Sequence, residues 1–446
     1  MTRALRCGLL AALAFLAIPA QAQTLDARIE KELPSLVELY KTLHAAPELS
    51  FNEKNSAARM AQELRALGYE VTENFGKYAA AGRTHYGVVG VMKNGAGPTL
   101  LIRADMDALP VEEKTGVPYA SKVRGKNDAG LDVGVMHACG HDVHMTSFVG
   151  TARMMAQLKD QWRGTLLMVG QPAEEAVGGA IGMVQAGIYQ KFGKADYAIA
   201  LHDTGDLPAG KIGYTPGYAL ASSTSVDLRV RGVGGHGSRP DNAKDPIVLA
   251  AQIVLALQTI VSREISPFDP AVVTVGSIHG GTRHNIIPDD VNLQLTIRTY
   301  KEEVRQHILK SIERIARNIA VAANVPADRM PEMRVSGDFA PATYNDPALT
   351  ERIARAIERA IGKENTIATA PVMGAEDFGH FGMENRQVPI AMFWVGATDP
   401  AKFAAAQAKG QPVPSLHSSE FAPLPEPTLR TGVKAMTAAA LELLKK

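Results

Sequence analysis

Along the first 200 residues, short apolar runs alternate with longer segments of helical periodicity. Helical patterns cover 26–45 and 53–67, and apolar runs follow at 87–92, 99–102, 165–170 and 195–201. This alternation predicts a sheet layered with helices, an α/β domain. The later runs give way to polar residues: Asp105 and Asp107, then Glu174 and Glu175, then His202. A fourth cluster, His137-Ala-Cys-Gly-His-Asp-Val-His144, directly precedes another helical pattern. Ligands in open α/β sheets gather at the carboxyl ends of the strands, so this repeated placement predicts one shared site.

Between 217 and 341 the pattern changes. A strand of alternating character at 224–230 leads to a helix at 246–263, strands at 272–278 and 291–299, a helix at 302–323 and a strand near 333–336. The order β-α-β-β-α-β predicts an inserted ferredoxin-like α+β domain. The α/β pattern then resumes with a helix at 347–361 and an apolar run at 389–395. The expected division is 23–216 and 342–446 for a mixed-sheet, helix-layered catalytic domain, and 217–341 for the insert.

Residues 1–22 read as a secretory signal peptide. Arg3 and Arg6 form a basic start, 9–18 is apolar, and Ala20-Gln21-Ala22 supplies small residues for cleavage before Gln23. That run is too short to span a bilayer, and no later stretch is expected to be long enough. The mature chain is thus expected to be exported, periplasmic or secreted, without a membrane anchor. Cys139 is then its only cysteine, with no intramolecular partner. That leaves packing, metal ligation or a reactive thiol as its roles.

Composition changes the picture little. With 46% hydrophobic and 21% charged residues, the chain is an ordinary globular sequence. Its net charge of +1 becomes −1 once Arg3 and Arg6 leave with an acid-free segment, so nothing points to nucleic acid.

The chemistry lies in the clusters. Three histidines, a thiol and an acid within eight residues are costly to bury unless a cation neutralises them. A dinuclear hydrolytic centre needs three or more ligands per ion, a bridging group, an open position for water, and a carboxylate that takes the water's proton without binding metal. Cys139 and His141 are near enough to address a common centre, Glu175 and His202 follow strands, and His417 arrives from the far end of the chain. Neighbours on an extended segment point to opposite sides, so one of Glu174 and Glu175 can ligate while the other faces substrate. Separately, each cluster has a bland reading as a solvated loop, a polar helix start or a buried free thiol.

In combination the motifs resemble the metal-dependent amidohydrolase and metallopeptidase family that includes hippurate hydrolase, auxin-conjugate hydrolases, N-acyl-amino-acid deacylases and related carboxypeptidases. They are His-Ala-Ala-Pro-Glu-Leu-Ser-Phe from His44, Arg-Ala-Asp-Met-Asp-Ala-Leu-Pro from Arg103, the His137–His144 block, Gln-Pro-Ala-Glu-Glu from Gln171, Gly-Gly-His-Gly-Ser-Arg-Pro from Gly234, His-Asn-Ile-Ile-Pro-Asp from His284, Met-Gly-Ala-Glu-Asp-Phe from Met373, and Leu-His from Leu416. The match covers nearly all of the mature chain. It implies a zinc-peptidase-like catalytic domain in which Cys139, His141, Glu175, His202 and His417 hold two divalent ions per subunit, with Glu174 as general base and then acid. Zinc or manganese is expected, with cobalt or nickel also suited to the donors.

Distant relatives carry a histidine ligand where this chain has Asp105, which places it in the cysteine-containing branch. Asp105 and Asp107 are therefore expected to orient ligands, with direct ligation by Asp105 as the alternative. The resemblance also implies that His236 stabilises the oxyanion, from its own subunit or a partner. Asn285 and Arg298 are candidates for binding substrate polar groups. His144 is expected to cap or pack on its helix, and Met154 and Met155 to lie in the core. The function expected is hydrolysis of N-acyl amino acids or amino-acid conjugates, by a homodimer paired through the insert. A metallo-exopeptidase with the same centre is the alternative. A metal-dependent binding protein without catalysis is a further one, which the intact Glu174 opposes.

Overall fold

The computed structural model describes residues 24–446 apart from 79–82, 128, 338 and 383–385; the expected signal peptide, 1–22, lies outside the described residues. A mixed eight-stranded sheet forms the centre. Its spatial order is Glu70–Thr72, Val88–Asn94, Gly164–Gln171, Thr99–Asp105, Tyr197–Pro208, Ile390–Thr398, Ile212–Tyr214 and Thr366–Ala368. Gly164–Gln171, Thr99–Asp105, Tyr197–Pro208 and Ile390–Thr398 run parallel to one another. Both faces of these strands are covered, which is why they read as continuous apolar runs.

Alternate residues serve two cores. Leu100, Ile102, Leu166 and Met168 pack with the helices Leu25–His44, His141–Gln157, Pro347–Ile361 and Pro425–Leu443. Leu101, Leu167 and Val169 face Ala180, Met183, Phe378 and Phe381 on the other side. Met154 and Met155 are fully buried, as expected for core. The sequence pattern did not mark Pro425–Leu443, whose packed surface sets Gly432, Ala435, Ala439 and Ala440 among Leu429, Val433, Met436 and Leu443. Such small residues carry little apolar contrast yet let the helix approach its neighbours closely.

The segment from Ser222 to Val335 builds a sheet of its own, in the order Ala271–His279, Asp290–Thr299, Ser222–Arg231, Glu332–Val335, antiparallel throughout. Helices Pro246–Thr259 and Glu302–Ala322 share its core with Val226, Leu228, Leu293 and Ile297. Asp227, Arg229, Asn292 and Gln294 face outward. The β-α-β-β-α-β order matches the expected ferredoxin-like unit. Gly217–Leu220 pairs with Thr343–Asn345, so the chain leaves and re-enters the larger sheet side by side.

One expectation fails here. Pro246–Glu264 is 19 residues long with mean hydropathy 1.6, long and apolar enough to cross a membrane by length and composition. Only one stripe of it, Leu249, Ala250, Ile253, Leu257 and Ile260, packs into the small core. Ile247, Val248, Leu255 and Val261 are exposed. Both faces being apolar, the segment lacks the polar stripe of an ordinary surface helix.

Candidate metal centre

The clusters meet at the carboxyl ends of the parallel strands. Cys139 lies in the loop before helix His141–Gln157, with Gly140 between them at φ +71°. A side chain at 140 would place its Cβ 2.1 Å from Asp203 Oδ2, so the position requires glycine for space as well as conformation. His202 lies within the strand Tyr197–Pro208 and not after it, because the strand continues beyond the apolar run at 195–201. His417, at φ +65°, is held by its backbone N–H donating to Ala138 O at 2.7 Å.

All five expected ligands come together. Cys139 Sγ is 3.7 Å from His202 Nε2 and 3.3 Å from His417 Nε2, and His417 Nε2 is 3.5 Å from Glu175 Oε1. Cys139, His141 and His202 form one group with donor atoms within 4.8 Å of one another, and Cys139, Glu175 and His417 form another. Cys139 belongs to both, as a bridging thiolate would.

The donors fit divalent ions. His141 Nδ1 donates to Asp107 O at 2.8 Å and His202 Nδ1 to Asp203 O at 2.7 Å, so each ring is set to present its Nε2 lone pair inward. His141 Nε2 and Glu175 Oε1 are buried without a hydrogen-bond partner among the described residues. Leaving such groups unsatisfied costs about 1–3 kcal/mol each, which a bound cation offsets. Burial, then Glu175 and Glu174, push the Cys139 thiol well up, so a thiolate there needs a cation beside it.

The Glu174–Glu175 segment departs from expectation. Ala173 and Val177 have φ of +50° and +55°, and 174–177 form a turn, not an extended strand. Both acids consequently reach His141, with Glu174 Oε2 3.8 Å from His141 Nε2, instead of facing opposite sides. Asp107 causes this: its carboxylate accepts from Glu174 N at 3.1 Å, Glu175 N at 3.0 Å and Ser50 Oγ at 2.6 Å. Burial, then Glu376 and Glu175, push the Glu174 carboxyl well up.

Asp105 has both oxygens engaged, Oδ2 by Arg103 Nη1 and Oδ1 by His144 Nδ1, each at 2.5 Å. That engagement suits an orienting role. His144 does not cap its helix; its Nε2 lies 3.1 Å from Asp203 Oδ1, so the ring links two carboxylates.

Sequence reasoning assigned no role to several residues of this site. Arg103 bonds Asp105, Glu376 at 2.5 Å, Asp377 at 3.1 Å and Gln171 at 2.8 Å, all buried. An arginine directly after an apolar run, two residues before Asp105, was the available signal. His44 contacts Asp142 at 2.6 Å and Glu113 at 3.0 Å. Against the cost of burial, these acids push the histidine up to about 10.

A cavity of about 700 Å³ opens on the centre, lined by Cys139, Glu174, Glu175, His202 and His417 together with Leu220, Val272, Trp394 and Arg298. Arg298 is half-buried, and burial lowers its pKa. No described residue pairs with its guanidinium. His236 and Asn285 do not line this cavity. They lie, exposed, where Gly235–His236 pairs with Ile286–Ile287, and Gly237 N donates to Asn285 O at 2.9 Å.

The profile of peptidase family M20/M25/M40 matches residues 101–442. The chain is 34% identical over 414 residues to a thermostable carboxypeptidase of Saccharolobus solfataricus, covering 92% of this chain and 96% of that one. It is 38% identical over 345 residues to the hippurate hydrolase of Campylobacter jejuni, covering 76% and 82%. Among solved structures, a dinuclear metal-binding peptidase of the M20 family from Bacillus subtilis superposes with a TM-score of 0.72 at 28% identity, over 93% of this chain and 99% of that one.

Proposed function

The chain belongs to peptidase family M20/M25/M40, and from that premise we propose that it is an exported, dimeric deacylase of N-acyl amino acids or amino-acid conjugates, with Glu174 carrying the proton. It is a metal-dependent hydrolase of amide or peptide bonds. The observation that supports a substrate with a free carboxylate is the Arg298 guanidinium, paired with no described residue, in a cavity whose other charged lining residues are acids. An amino acid left by deacylation bears a free carboxylate, which a guanidinium recognises in bidentate fashion.

When bound, the ions polarise the scissile carbonyl and make water acidic enough to yield a nucleophile near neutral pH. Cys139, His141, Glu175, His202 and His417 would hold them. Glu174 is buried beside His141 and outside the five donors, so it takes the proton from water and returns it to the departing amine, which leaves poorly unless protonated. His236, brought by a second copy, would donate to the developing oxyanion.

Chelation followed by readdition of zinc, manganese, cobalt or nickel tests cofactor and substrate class together. Activity should vanish and return with two ions per chain. N-acyl amino acids should outpace matched dipeptides, and amidating the substrate carboxylate should cost about tenfold to a hundredfold in kcat/KM. Faster dipeptide cleavage would favour an exopeptidase, as the carboxypeptidase relative is named. Turnover indifferent to chelation would sink the metal mechanism.

Export is supported by the basic, apolar and small-residue order of 1–22. Pairing is supported by the exposed Ile247, Val248, Leu255 and Val261 beside the edge strand Ala271–His279. An unpaired edge and an apolar face are what a second copy covers. Expressed with its leader in an exporting host, the chain should be recovered starting near Gln23 and should sediment as a dimer that Leu255→Asp dissociates. An intact N-terminus counts against export, and a monomer at micromolar concentration against pairing.

A further inference from the structure

The turn bearing Glu174 and Glu175 is held by two buried carboxylates, and only Asp107 comes from the strand ends. The other is Glu53, which stands at the start of helix Lys54–Ala66 but makes no capping bond to it. That task falls to Glu48, which accepts from Asn55 N and Ser56 N. Glu53 Oε1 instead accepts from Phe51 N and from Ala173 N, both at 2.8 Å. Its side chain is fully buried, and Oε2 has no hydrogen-bond partner among the described residues.

Ala173 is the residue whose left-handed φ turns the chain into Glu174. A non-glycine residue holds that conformation only when its surroundings over-determine it, at a cost on the order of 1–3 kcal/mol. Glu53 and Asp107 between them accept the successive N–H groups of Ala173, Glu174 and Glu175. Helix capping, the ordinary reason for an acid at this position, is already supplied by Glu48.

We propose that Glu53 is a positioning residue for catalysis, holding Ala173 in its left-handed conformation so that the Glu174 carboxyl is aimed into the metal cavity. This rests on the reading of Glu174 as the base. Burial and the neighbouring Asp107 push the Glu53 carboxyl up to about 8, toward its neutral form. Glutamine then reproduces both its shape and its accepting oxygen, whereas aspartate keeps the acid but withdraws the oxygen from Ala173 by one methylene.

Glu53→Gln, Glu53→Asp and Glu53→Leu separate these contributions. Glu53→Gln should keep kcat within about threefold of wild type. Glu53→Asp and Glu53→Leu should lose about tenfold to a hundredfold in kcat, the scale of an ångström-sized misplacement, with KM and two ions per chain retained. Full kcat in Glu53→Asp overturns the proposal, as does a Glu53→Gln variant as slow as Glu53→Asp. A loss confined to KM or to metal content also overturns it. Should Glu53→Leu fail to fold, the Gln and Asp pair still decides. Near-normal turnover in Glu174→Gln would sink the base itself; undiminished kcat in Glu53→Asp while Glu174→Gln is inactive would sink this proposal alone.

Discussion

Replacing Glu174 with glutamine should lower kcat by about 10²- to 10⁴-fold, the range a positioned general acid–base supplies, while both ions stay bound. The amide matches the carboxyl in shape but cannot accept the proton from water or deliver it to the amine. Metal retention follows from the donor set: Cys139, His141, Glu175, His202 and His417 provide the two ligand groups without Glu174. Its backbone N–H stays on Asp107, so the turn should keep its form. Removing an acid crowded by Glu376 and Glu175 should leave stability unchanged or slightly raised. Steady-state kinetics with metal analysis decides: near-normal kcat would move the base elsewhere, and lost metal would make Glu174 a ligand.

The second large effect is on stability. Arg103 is buried in strand Thr99–Asp105 and is bonded there to Asp105, Glu376 and Asp377. Arg103→Met fills the volume but leaves three buried acids without their cation. Breaking a buried pair from one side costs about 3–5 kcal/mol, a large part of the 5–15 kcal/mol that stabilises a typical domain. At about 2–4 °C per kcal/mol, a fall in Tm of about 6–20 °C is expected for the large domain.

The deficit should depend on pH. In the native protein the Asp105 carboxyl lies well below its usual range, because Arg103, His141 and His144 overcome the effect of burial. That depressed pKa contributes stability above the unfolded carboxyl value of about 3.9, and the contribution disappears as pH falls through the folded value. Without Arg103 the folded pKa rises, so the gap between variant and wild type should be widest near pH 8 and narrow toward pH 4. Thermal unfolding at both pH values tests this. A variant with wild-type Tm at pH 8 would show that the arginine is dispensable.

Much of this architecture was readable from local pattern. The strand Ser222–Arg231 alternates buried and exposed residues, and the parallel strands are continuously apolar; both patterns are short-range consequences of which faces meet solvent. Ligands at the ends of apolar runs were readable for the same reason, since strand ends position side chains at a crevice. His202 was the instructive exception in placement, because polar residues inside a buried strand look like a strand end. The helix Pro425–Leu443 escaped because Gly432, the alanines and the threonines dilute the contrast of Leu429, Val433, Met436 and Leu443, and the helix at 246–264 misled because an apolar surface imitates a core.

By itself, then, the sequence determined the layered α/β domain and the ferredoxin-like insert, because these depend on side-chain type and on spacings of a few residues, while the donor set was legible through the resemblance of its motifs to a known family. Only the tertiary structure decided how Glu174 is aimed, what neutralises Asp105 and Glu376, and that His236 and Asn285 stand apart from the cavity within one chain. Arg103 meets Glu376 across 273 residues, and Glu53 meets Ala173 across 120. Bonds of that range depend on strand order and on turns with positive φ, which local composition does not encode, and buried polar groups must find partners wherever the topology brings them.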